Sequence, residues 1–221
     1  MTSTVLRSEN SHLGIALLHI DQLRPHEKAS PLYLDLLKQE ILRDGMLKYP
    51  IIADEETHVI LDGMHRWLAL KSLGYTYIPT ILVTAFQRSA IRVGKRRIHR
   101  YQVDFDEEIT IDRVIATGLS GKLMPPRSTR HFFPFSKLQL INCPLHQLKK
   151  GAPSNVSPYL ANMTEEECKM SIGQWLSEIS EELDFLDKRR TEVKKERDEF
   201  LTRLKRLWND SSTSHSSLSK S

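Results

Sequence analysis

VILDGMHRWLALKSLG, residues 59–74, holds a strand, a turn and a helix in immediate succession. HVILD (58–62) reads as a strand that ends at Asp62, Gly63 makes the turn, and HRWLALKSLG (65–74) reads as a helix closed by a glycine, opening at His65 or Arg66. Backbone N–H groups at a helix N-terminus point outward with partial positive charge and attract phosphate. Gly63 lets the backbone approach a ligand closely. Asp62 could hold a divalent cation, and His65 and Arg66 could bind phosphate oxygens. Taken alone, these residues fit a capped helix with surface charges equally well.

The same grammar extends outward on both sides. IALLHI (15–20) is a short buried-strand pattern, followed by the turn RPHE. Pro31 to Arg43 carries Leu32, Leu36, Leu37, Ile41 and Leu42 at helical spacing, with Gly45 as the stop. PIIA (50–53) and HVILD bracket the acidic turn DEET, and YIPTILV (77–83) is a further strand. The order strand–helix–strand–strand–helix–strand predicts a small mixed α/β body. ITIDRVIATGLS (109–120) predicts one more helix before the Pro125–Pro126 break. The expected organisation is a frayed polar segment at 1–12, a body at 13–149 and a Gly/Ser/Pro-rich linker at 150–161. A long helix or helical hairpin at 162–208 and an unfolded polar tail at 209–221 complete it.

Bulk properties narrow the setting. The 221 residues suffice for one domain with an appendage, and 39% hydrophobic residues suffice for a core. No apolar run is long enough to span a membrane, and the first residues lack a signal-peptide core. Cys143 and Cys168 are far apart and fit a reducing compartment, so a cytoplasmic protein is expected. A net charge of +4 suits an anionic ligand without choosing between nucleotide and nucleic acid.

Three pieces, LRPHE (23–27), LDGMHRW (61–67) and PRSTRHFFPF (126–135), occur in the chain order of the ParB/sulfiredoxin-fold kinases of free L-serine. The resemblance covers about residues 15–148, poorly over 87–120. The third piece discriminates, because DNA-partition ParB proteins and sulfiredoxins do not carry it. A sulfiredoxin would also need a reactive cysteine where this chain has Met64. The resemblance implies an α/β ParB/sulfiredoxin-like domain that moves phosphate from ATP or ADP to L-serine. It implies that Glu27 takes the proton of the serine hydroxyl and that Asp62 helps place Mg²⁺. Gly63, Met64, His65 and Arg66 would form the phosphate turn, and Ser128, Thr129, Arg130 and His131 a second anion clamp. Singly, Glu27 could cap a helix, Arg130 could make a structural ion pair, and His131 could be a satisfied core histidine. Met64 stands where some members have a second histidine, leaving one fewer donor at the phosphate. His26 reads as a residue that shapes its turn, and His58, His99 and His146 as surface residues.

Two segments lie outside the resemblance. RVGKRRIHRYQ (92–102) could meet nucleic-acid phosphates, but no helix-turn-helix pattern follows the core, and an exposed strand or loop near an anionic site is preferred. Thr164 and Glu167 have capping-box spacing. Beyond them Ile172, Ile179, Leu186, Val193, Phe200 and Leu207 recur every seven residues, with Leu176, Leu183 and Leu204 between them and Arg190 and Arg197 as interruptions. A homodimerising coiled coil and a helix folded back on the body both remain open. The run KRRTEVKKERDE favours an extended, solvated interaction helix. A nucleotide-binding protein without turnover and a DNA-associated ParB-like regulator remain as alternative functions.

Overall fold

The computed structural model describes residues 5–6, 14–95, 109–137 and 139–216. They divide into a body, Met1–Lys169, and a helical unit, Met170–Ser221.

The body is built on a five-stranded sheet in the order β1–β2–β6–β4–β5, from β1 (Val5–Leu6), β2 (Ile15–His19), β4 (Ile51–Asp54), β5 (Ile60–Asp62) and β6 (Tyr77–Val83). Only the central β4–β6 pair is parallel; the other neighbours are antiparallel. Antiparallel β4 and β5 need only a tight turn, whereas the parallel return to β6 requires a crossover, supplied by α2 (Met64–Leu73). Two short pairs lie apart from this sheet. They are β3 (Met46–Leu47) with β9 (Cys143–Pro144), and β7 (Arg92–Lys95) with β8 (Thr129–Phe132). The remaining helices of the body are α1 (Pro31–Asp44), α3 (Ala85–Ser89) and α4 (Ile111–Ser120).

Period-2 alternation sends apolar side chains to both sheet faces. Ile51, Ala53, Ile60 and Ile78 pack with Leu34 and Ile41 of α1 and Trp67, Leu68 and Leu70 of α2. Ile52, Val59, Leu61, Ile81 and Val83 pack on the other face with Ile91, Ile109 and Val114. A sheet covered on both sides explains why its strands read as unbroken apolar runs. Gly118 lets α4 sit down on the sheet, since a Cβ there would fall 2.7 Å from both methyls of Val59.

Most expected elements appear within a residue or two. α1 ends on Gly45 at φ 65°, α2 ends on Gly74 at φ 82°, and β6 spans the expected residues. Several expectations are corrected. Within 1–12, Val5–Leu6 pairs with β2 instead of fraying, and the other residues to 13 lie outside the described ones. The stretch 150–161 is laid along the body: Gly151 N–H donates to Gly74 C=O, Ala161 N–H to Ala29 C=O, and Tyr159 packs edge-on against Trp67. Prolines break regular structure there without preventing docking of the backbone. Of the basic run, Arg92–Lys95 forms β7, and 96–102 lies outside the described residues.

The C-terminal segment is one helix, α5 (Glu165–Ser216), rather than a hairpin. Its N-terminus carries the expected box: Glu167 N–H donates to Thr164 Oγ1 and Thr164 N–H to Glu167 Oε2. The helix runs into the polar segment read as an unfolded tail, to Ser216, because no glycine or proline stands there to stop propagation.

Candidate functional site

β5 ends at Asp62, and Gly63 at φ 95° turns the chain into α2. That backbone conformation is costly for any residue with a Cβ. Here a Cβ would also lie 2.6 Å from Ile51 Cγ2 and 2.8 Å from Arg66 Nη2. Without a side chain at Gly63, nothing caps α2, and its first-turn amides precede the first helical bond, Trp67 N–H to Gly63 C=O. This leaves a helix N-terminus facing the end of the strand, where an anion is favoured.

Four residues later, Arg66 Nη2 donates to Asp62 Oδ2 at 2.6 Å, while Lys137 Nζ lies 3.7 Å from Asp62 Oδ1. Burial works to raise the Asp62 carboxyl, but the Arg66 and Lys137 charges outweigh it and hold the group below its usual range. Asp62 is therefore an anion flanked by two cations at the mouth of the turn. Burial pushes the nearby Tyr33 hydroxyl up, with Arg66 and Arg127 acting against it. Arg127 itself takes φ 59°, an uncommon conformation for a residue with a side chain.

The PHE segment runs beside β5. Arg24 N–H donates to His58 C=O and Ile60 N–H to Arg24 C=O, while Lys28 N–H reaches Met124 C=O on the other side. His26 is buried, with Nδ1 2.7 Å from Ile60 C=O and Nε2 3.0 Å from Thr129 Oγ1. A carbonyl can only accept, so Nδ1 carries the proton and Nε2 accepts from the Thr129 hydroxyl. Burial pushes His26 down to about 4 despite the Ile60 carbonyl, so the ring is neutral. Thr129 Oγ1 is also 3.5 Å from Glu27 Oε2, and a hydroxyl has one proton to give. Donated to His26, that proton is not shared with Glu27. His26 thus ties β5, the Glu27 segment and β8 together, a role beyond shaping a turn.

The individual candidates fall into different places. Thr129 and His131 are buried on one side of β8, where His131 lies edge-on to His26 at 5.5 Å and within electrostatic reach of Asp62. Strand alternation sends Arg130 to the opposite side, stacked over Phe132 at 5.0 Å. Ser128 donates to Pro125 C=O at 2.6 Å and shapes the turn before the strand. The expected four-residue clamp is therefore split across the strand. Met64 puts its side chain into the core, leaving only its backbone at the turn. His65 Nε2 accepts from Ser30 N–H at 3.0 Å, and its ring lies edge-on to Tyr33, so this histidine braces the start of α1. Glu27, Asp62, Gly63, Arg66, Thr129 and His131 are brought together from segments far apart in sequence. Lys137 and His26 were missing from the expected set. A lysine two residues past PRSTRHFFPF was the available signal for the first, and adjacency to Glu27 for the second.

Among the described residues no group of three His, Cys, Asp or Glu side chains could hold a metal by itself. Asp62 offers a single carboxylate, whose oxygens face Arg66 and Lys137, so a Mg²⁺ there would have to take most of its ligands from phosphate oxygens and water. No helix among the described residues is long and apolar enough to cross a membrane.

No family model matches the chain. An ATP-dependent L-serine kinase of Staphylothermus marinus is 34% identical over 82 residues, 35% of this chain and 32% of that protein. A ParB-like protein of Sulfolobus acidocaldarius is 45% identical over 64 residues, 28% of this chain and 31% of that protein. The matches thus span about a third of the length of these curated relatives. A free serine kinase variant solved in complex with ADP superposes with a TM-score of 0.52 over 61% of this chain and 94% of that chain, at 15% identity, which shows a shared fold.

Proposed function

We propose that this chain, a relative of the ParB-like L-serine kinases, transfers phosphate from ATP or ADP to free L-serine. The observation that carries the reading is the clustering of a carboxylate, a glycine-turned helix N-terminus and paired cations. Two of the three contributing segments match the kinase motifs, and Lys137 stands two residues past the end of the third motif. Phosphoryl transfer asks mainly for positioning and neutralisation of charge, and this cluster has the residues for both. The serine oxygen bonds to the terminal phosphorus, the bond from phosphorus to the bridging oxygen breaks, and ADP or AMP leaves. Glu27 accepts the hydroxyl proton, giving O-phospho-L-serine. The first-turn amides of α2, with Arg66 and Lys137, bind the phosphates. Mg²⁺ held by Asp62 and the phosphates would supply further positive charge on the moving group.

Arg66 and Lys137 are held close to Asp62 in the structure described above, so nucleotide entry exchanges a carboxylate partner for phosphate oxygens. The test is phosphorus NMR of the protein with L-serine, Mg²⁺ and each nucleotide in parallel. An O-phosphoserine signal that is lost by at least about a hundredfold in Glu27→Gln supports the assignment. Silence with both nucleotides refutes it. A second reading, nucleotide binding without turnover, would be favoured by nucleotide binding in calorimetry together with no O-phosphoserine from either nucleotide.

A further inference from the structure

α5 continues as a single helix, and Leu176, Val193 and Phe200 stand 59%, 49% and 55% exposed along it. Written as heptads, Leu176, Arg190 and Arg197 occupy position a, while Ile172, Val193 and Phe200 occupy position d. Asp187 and Lys194 both occupy e, one heptad apart. We propose that α5 pairs with α5 of a second copy of this chain in an antiparallel coiled coil, with Arg190 layered on Val193 and Asp187 opposite Lys194.

Charge decides the direction. In a parallel pair every a position meets itself, so Arg190 would face Arg190 and Arg197 would face Arg197 inside the seam. Each e position would also meet the g position of the preceding heptad. In this sequence that sets Asp187 against Glu182 and Lys194 against Arg189, like charges in both cases. In an antiparallel pair a meets d and e meets e. Placing Arg190 beside Val193 of the second copy brings Asp187 against Lys194 of that copy, twice by symmetry. The arginine stems can cover the apolar d residues while their guanidinium groups reach water. The proposal does not depend on the kinase reading.

Charge reversal on the full chain, followed by sedimentation equilibrium, tests both the partner and its direction. In the antiparallel pair Asp187→Lys sets Lys against Lys194 at two places and weakens dimerisation by roughly tenfold, and Lys194→Asp added to it restores the original affinity. In a parallel pair Asp187→Lys would instead meet Glu182 and tighten the dimer, which overturns the proposal. A wild-type chain that stays monomeric overturns it too. So does a dimer indifferent to both variants, since the contact would then lie elsewhere.

Discussion

Replacing His26 by glutamine should remove the share of this fold's acid sensitivity that comes from a buried neutral imidazole. The ring is held neutral by burial, with its value lowered from 6.5 to about 4, so the unfolded chain binds a proton in a window where the folded chain does not. Stability contributed by the neutral ring is therefore complete above about pH 6.5 and is lost as the pH falls towards 4. At 1.36 kcal/mol per pH unit the full loss is about 3 kcal/mol, of which about 2 kcal/mol has gone by about pH 5. The cause is burial: a charged imidazolium between Ile60 C=O and Thr129 would lose its hydration, and the one carbonyl bond at Nδ1 does not offset that loss. Urea unfolding of wild type and His26→Gln at about pH 7.5 and about pH 5 measures the effect as a difference of differences. Titrating groups away from His26 contribute equally to both proteins and cancel in that difference. The variant should start less stable, since a glutamine cannot reproduce both bonds, but should lose about 2 kcal/mol less on acidification. Equal losses in the two proteins would refute the assignment of a buried, neutral His26.

Gly63→Ala combines a left-handed backbone with a Cβ 2.6 Å from Ile51 Cγ2, so chemical denaturation should show a loss of about 2–4 kcal/mol, and nucleotide affinity measured by calorimetry should fall with it. Thr129→Val leaves His26 Nε2 buried without its donor and should cost about 1–3 kcal/mol by the same denaturation measurement, whereas Thr129→Ser should recover most of it.

Much of the body is written locally. Apolar runs bounded by turns, and glycines past the ends of helices, mark β2, β6, α1 and α2 closely, because strand and helix periodicity and left-handed caps act over a few residues. The strand–glycine–helix turn is legible for the same reason, and so is the Thr164–Glu167 box. The anion clamp is less so. Reading PRSTRHFFPF as a unit puts Arg130 beside Thr129 and His131, while pairing of β8 with β7 makes it a strand and divides neighbours between its two sides. His65 looks like a phosphate ligand until the fold brings Ser30 N–H to its Nε2 from thirty-five residues away.

What the amino-acid order determined by itself is therefore β2, β4, β5, β6, α1, α2 and α4 with ends close to those observed, and the glycine turn that opens α2, all consequences of interactions within a few residues. The pairing of β4 with β6, the burial of His26 between Ile60 and Thr129, and the approach of Lys137 to Asp62 were decided only by tertiary structure. Those contacts join residues up to about a hundred positions apart. No local propensity encodes them, because their stability comes from closing the sheet and covering both its faces.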